Sequence, residues 1–171
     1  MSLPQATPAF PNVIRIDPWV QSRRDLLPRA SLRTVDETWG SRATSVANNL
    51  AQAVSASLEE EWLTHMLLMF TLKPKNENAA EMRVIFSPYE VILSAGRGTR
   101  FELDALPRSE DRLLVLAGAI ASGGLSERIW PRRVKFELRL PDTVLKGGEQ
   151  DALIPRPGRS RSVSYAPYAR Q

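Results

Sequence analysis

The uncharged stretch from Met66 to Leu72 constrains this chain more than any other feature, because it is apolar at both odd and even positions. A strand with two apolar faces belongs at the centre of a sheet that is covered on both sides. Lys73-Pro74-Lys75-Asn76-Glu77-Asn78 supplies turn chemistry, and Met82, Val84 and Phe86 then restart a period of two against Arg83 and Ser87. After Pro88, Tyr89, Val91 and Leu93 alternate with Glu90 and Ser94, and Gly96-Arg97-Gly98 reads as a hairpin turn into Thr99 to Leu103. Arg133 to Leu140 is the cleanest alternation in the chain. Val134, Phe136, Leu138 and Leu140 point inward, while Arg133, Lys135, Glu137 and Arg139 form a wet face.

Two helices complete the pattern. Val46, Leu50, Val54 and Leu58 recur every four residues and predict an amphipathic helix from about residue 42 to residue 60. A capping-box pattern, Thr34 to Glu37, lies upstream, and Glu59-Glu60-Glu61 would sit at an acid-rich helix end that calls for a basic neighbour. Ser109 caps the second helix, Glu110 and Asp111 occupy its first turn, and Gly123-Gly124 ends it. The expected fold class is α+β: one domain, a mostly antiparallel sheet of four to five strands, and two packed helices.

The ends differ from this body. Residues 1–31 hold five prolines around a short β-like run, Val13 to Ile16, which predicts an extended Pro-rich N-terminal arm whose apolar residues dock on the body or on another subunit. Gly147-Gly148 and Pro155 read as a linker, followed by a basic Arg/Ser/Tyr C-terminal tail that is disordered when unbound. The domain reading is therefore an arm at 1–31, a core at 32–145, and a linker and tail at 146–171. Charge follows the same division. Residues 1–34 carry five arginines against two aspartates, and residues 155–171 carry four arginines and no acid. With a net charge of +4, the body between these arms is mildly acidic. Basic arms on an acidic body point to a polyanion or to the acidic body of a neighbouring copy.

Catalytic equipment is not evident. Cysteine is absent, which removes disulfides, thiol chemistry and cysteine-based zinc sites. His65 is the single histidine and falls in the core strand run, so neither a histidine metal cluster nor a Ser-His-Asp triad can be assembled. Gly96-Arg97-Gly98-Thr99-Arg100 lacks the lysine of a phosphate loop and reads as a hairpin with exposed arginines. The expectation is no catalytic residues, no metal and no cofactor. Neither a signal-peptide pattern nor a transmembrane stretch is visible, and localisation is otherwise open.

Binding residues are easier to nominate. Arg128, Arg132, Arg133, Lys135 and Arg139 surround Trp130 in the densest basic and aromatic cluster of the chain. Arg156, Arg159 and Arg161 form a small Arg/Ser tract that phosphorylation would weaken, and Tyr165 and Tyr168 follow with rings suited to stacking. The expected partners are nucleic acid or anionic lipid, with self-association through arms and edge strands. In outline the layout resembles coat, matrix and nucleocapsid-associated proteins of viruses. The expected function is accordingly a non-enzymatic structural or assembly protein. The alternative is a small adaptor that binds one protein partner through its arm or tail.

Overall fold

The computed structural model describes residues 38–130, 133–148 and 160–168. The N-terminal arm, the Thr34 capping box, Arg132, Arg156 and Arg159 lie outside the described residues.

In chain order the elements are α1 (Thr38–Val54), β1 (Ser57–Thr64), β2 (Leu67–Lys73), β3 (Met82–Phe86), β4 (Glu90–Ala95) and β5 (Thr99–Asp104). Then come α2 (Glu110–Ala121), β6 (Leu125–Trp130), β7 (Arg133–Arg139), β8 (Val144–Gly148) and β9 (Arg161–Ser164). The protein is α+β, as the alternation predicted. Its strands form two antiparallel sheets, one of five strands in the order β1-β2-β3-β4-β5 and one of four in the order β8-β7-β6-β9. No helix among the described residues is long and apolar enough to cross a membrane.

Apolar periodicity explains the larger layer. Leu68, Phe70 and Leu72 of β2, Met82, Val84 and Phe86 of β3, and Val91 and Leu93 of β4 are buried on the face that meets the helices. Burial of each large side chain contributes roughly 1.5–3 kcal/mol. α1 adds Val46, Ala47 and Leu50, and α2 adds Leu113, Leu116 and Ile120 to the same core. The opposite face of β2 is less covered than its composition predicted, since Leu67 and Met69 stay partly exposed.

The helix expected to reach residue 60 stops at Val54. Ser55 adopts a left-handed conformation with φ of 55°, and the chain re-enters as β1, with Ser57 opposite Lys73 and Trp62 opposite Leu68. The sheet ladder outweighs helical periodicity here, as tertiary pairing commonly outweighs propensity. Glu59, Glu60 and Glu61 therefore lie on an edge strand rather than at a helix end. Three adjacent carboxylates on a strand that is an edge among the described residues discourage pairing with another strand. His65 sits exposed in the β1–β2 turn, not in the core.

Two further expectations change at the C-terminal end. Gly147 and Gly148 lie inside β8. A Cβ on Gly148 would stand 2.9 Å from Lys135 Cα, so close approach to the β7 backbone requires glycine there, while one on Gly147 would stand 2.7 Å from Phe136 Cζ and would displace that ring. The tail stretch expected to be disordered forms β9, which pairs with β6 from Ser126–Ser164 to Ile129–Arg161.

Candidate functional site

Strand β6 carries both halves of the site, because neighbouring residues on a strand face opposite sides of the sheet. Leu125, Glu127 and Ile129 point inward, while Ser126, Arg128 and Trp130 point outward.

On the inward side, Glu127 is 2% exposed and forms no ion pair among the described residues. Its carboxylate instead accepts five hydrogen bonds. The backbone N–H groups of Arg97, Gly98 and Thr99 donate at 2.9, 3.0 and 2.9 Å, the Thr99 hydroxyl at 2.7 Å and the Tyr165 hydroxyl at 2.6 Å. Such a cage offsets the cost of burying a charge by satisfying its lone pairs. It also ties three parts of the chain together: the β4–β5 hairpin, β6 and the C-terminal segment. Gly96, with φ of +61°, completes the turn, and a Cβ there would lie 2.8 Å from the Glu127 Oε2. Val134 packs on Gly98, and Phe136 meets Phe101 edge-to-face with centroids 5.1 Å apart, so the inward face of the smaller sheet rests on the same hairpin.

The C-terminal segment continues as a strap. Ala166 N donates to Asn78 O at 3.0 Å, the Asn76 side-chain amide donates to Pro167 O at 3.0 Å, and Tyr168 N donates to Ala121 O at 2.8 Å. Tyr168 is 3% exposed, and its hydroxyl donates to Ala80 O at 2.6 Å. Burial first, then the bond to and charge of Glu127, push the Tyr165 phenol well above its ordinary value. Tyr168 is pushed up likewise by burial and the charge of Glu81. Neither tyrosine is available to stack on a ligand. Sequence reasoning placed them in a free tail because so short an apolar segment gives no sign that it fills a core position.

The outward side of the smaller sheet is an open groove of about 790 Å³. Register sets its composition, since paired residues share a face. One row across the sheet runs Gly148, Lys135, Arg128, Ser162, and the next runs Lys146, Glu137, Ser126, Ser164. Arg133 stands opposite Trp130 at one end, and Arg139 at the other. The guanidinium carbons of Arg128 and Arg133 lie 5.9 and 5.8 Å from the Trp130 ring centroid, within cation–π range. The Arg133 Nε is buried and makes no hydrogen bond.

Among the described residues, five cationic side chains thus share this face with one carboxylate, Glu137, which pairs with Lys146 at 3.1 Å. That exposed pair contributes little stability. Among the described residues, Arg128, Arg133, Lys135 and Arg139 form no ion pair. The structure therefore gathers four nominated cations and Trp130 on one surface. Arg161 departs from them: it pairs with Ile129 on the inward side of the edge strand. Lys146 and the serines of the groove were not nominated, because their placement follows from the β7–β8 and β6–β9 registers. Glu127 did leave a signal, as a carboxylate at an inward position between Leu125 and Ile129.

No group of three or more His, Cys, Asp or Glu among the described residues is placed to hold a metal. No family model, curated protein or solved structure matches the chain.

Proposed function

We propose that this chain is a non-enzymatic assembly protein that binds nucleic acid, preferentially single-stranded, along the outward face of its four-stranded sheet. The observation that carries the reading is the gathering of Arg128, Arg133, Lys135 and Lys146 along one open groove, with Trp130 under Arg128 and Arg133 at one end of the same face and Arg139 at the other. Cations that track a phosphate backbone, with an aromatic ring for a base, are the elements of single-strand recognition. A concave surface favours a strand over a flat bilayer, and among the described residues Val144 is the one large aliphatic side chain exposed on that side.

The test is fluorescence anisotropy of a labelled single-stranded oligonucleotide over a salt series. Each phosphate neutralised adds about 0.7 to the magnitude of the log–log salt slope. Arg128→Ala with Lys135→Ala should flatten the slope by about 1.4. Trp130→Ala should leave the slope unchanged and weaken binding by roughly 1–3 kcal/mol, the range for one stacked base. Unaltered binding in both variants would refute the assignment, and tighter binding to anionic vesicles than to oligonucleotide would transfer the face to lipid. One protein partner retained at high salt would favour the adaptor reading.

Self-association has its own support. Met69, Ile85 and Ile92 stand in register on the side of the five-stranded sheet away from the helices and are each partly exposed. Light scattering that shows a single monomer at all concentrations would remove this part of the reading.

A further inference from the structure

The wall of the groove opposite β8 is the edge strand β9, and its sequence context is Arg159-Ser160-Arg161-Ser162-Val163-Ser164. Alternation directs Arg161 and Val163 to the inward side and Ser162 and Ser164 to the groove, where both serines are exposed. Their surroundings differ. Ser162 stands opposite Arg128, about 5 Å away between Cα atoms as for any antiparallel pair, and Lys135 is the next residue along the same row. Ser164 stands opposite Ser126, and its row continues to the carboxylate of Glu137. Ser162 is therefore the serine of β9 whose row holds two cations and no acid.

We propose that Ser162 is a phosphoacceptor whose modification closes the groove to its polyanion, an inference that rests on the reading of that face as a nucleic-acid site. The donor is a magnesium-bound nucleoside triphosphate held by a serine kinase that reads Arg-Ser dipeptides. The Ser162 Oγ attacks the γ-phosphorus, and the new Oγ–P bond forms as the bond to the β,γ-bridging oxygen breaks. The diphosphate leaves with that electron pair, and the hydroxyl proton passes to a carboxylate of the kinase. An edge strand of four residues suits such a reaction, since no strand among the described residues pairs with its outer side and Arg161 faces away from the groove. The product carries a charge of about −1.5 to −2 and three strong acceptor oxygens. Placed in a row with Arg128 and Lys135, it takes the charge-assisted bonds that a bound phosphate would otherwise take. It holds β9 on β6 rather than releasing it, so the fold persists while the site is filled from within.

The experiment uses the full chain with phosphoserine installed at 162, the same at 164 for comparison, and the unmodified chain. Against a labelled single-stranded oligonucleotide, phosphoserine at 162 should flatten the salt slope by about 1.4, two charges at about 0.7 each. Phosphoserine at 164 should flatten it less. Ser162→Glu, with one charge, should give about half the effect and serves if the phosphorylated chain does not fold. Phosphorus NMR reads the contact independently of any ligand: the second pKa of phosphoserine 162 should fall below its usual value of about 6 and return towards it on Arg128→Ala. A shifted phosphate on a chain whose unmodified form binds no oligonucleotide would sink the nucleic-acid reading while sustaining the pairing with Arg128. Equal loss of binding at 162 and 164, or a phosphate at 162 that titrates as in a free peptide, would overturn the proposal. So would mass spectrometry showing that an Arg-Ser-directed kinase modifies Ser162 only in the urea-unfolded chain.

Discussion

Replacing Tyr165 by Phe and Glu127 by Gln, singly and together, tests whether the buried carboxylate is the joint that holds the smaller sheet and the strap to the hairpin. Tyr165→Phe removes one of five donors to Glu127, a bond of 2.6 Å to a charged acceptor, and leaves no large cavity. Hydrogen bonds to charged groups contribute about 1.5–3 kcal/mol, so a loss near 2 kcal/mol is expected. Glu127→Gln keeps one oxygen for Gly98 N, Thr99 N and the Thr99 hydroxyl, which now bond Oε1, and sets an amide nitrogen against Arg97 N–H. That mismatch leaves one donor unsatisfied and costs about 1–3 kcal/mol. In the Gln background the Tyr165 hydroxyl can turn and accept from the amide, a neutral bond that contributes about 1 kcal/mol. Tyr165→Phe should then cost about half of what it costs in the wild type, giving a coupling energy near 1 kcal/mol. Urea unfolding followed by circular dichroism reads these values. With a slope of about 2 kcal/mol per molar, a 2 kcal/mol loss moves the midpoint by about 1 M. Additive single effects, or a Tyr165→Phe shift below about 0.5 kcal/mol, would refute the cage as a coupled unit.

Alkaline pH and truncation supply two further tests of the strap. Because the folded pKa values of Tyr165 and Tyr168 are raised, their contribution is fully present below the unfolded value of about 10. Above that pH the unfolded chain loses protons that the folded chain keeps, and stability should fall by about 1.4 kcal/mol per pH unit for each tyrosine. The urea midpoint should hold steady from pH 7 to 9 and fall beyond about 10, less steeply in Tyr165→Phe and Tyr168→Phe; a flat profile to pH 11 would contradict the burial of both phenols. Deleting residues 160–171 removes β9 and the buried Tyr168, whose side chain alone accounts for about 3–5 kcal/mol on the scale of large-to-small core changes. Thermal unfolding of that truncation should begin well below that of the full chain, and an unchanged melting temperature would mark the strap as passive.

What the sequence disclosed follows from the range of the interactions involved. The alternation in Met82–Phe86 and in Arg133–Arg139 reports which side of one strand meets a core, and both strands behave as that period requires. The cationic cluster around Trp130 was legible for the same reason, since Arg128 and Trp130 lie two residues apart and Arg133 comes three residues after Trp130. Registers of distant segments leave no such local mark. Glu59–Glu61 read as a helix end because the four-residue spacing of Val46, Leu50, Val54 and Leu58 runs up to them, yet Lys73 and Phe70 claim that segment for a ladder. Tyr165 and Tyr168 read as free for want of any nearby apolar period, although their partners Glu127 and Ala80 are 38 and 88 residues away.

If the outward face binds as proposed, the consecutive residues Glu127 and Arg128 tie that binding to folding. One side of β6 buries a carboxylate whose donors include Tyr165, and the other side lifts Arg128 into the groove beside Ser162. Ser162 and Tyr165 belong to the same short segment, so whatever loosens the strap also moves a wall of the groove. The converse holds by linkage: a strand bound across β6 and β9 favours the state in which the strap is seated. At a ligand concentration of one hundred times Kd that contribution is about 2.7 kcal/mol, comparable to the Tyr165 bond itself. A polyanion on the outward face would therefore reinforce the inward cage, and a phosphate on Ser162 would take over that role while excluding such a ligand.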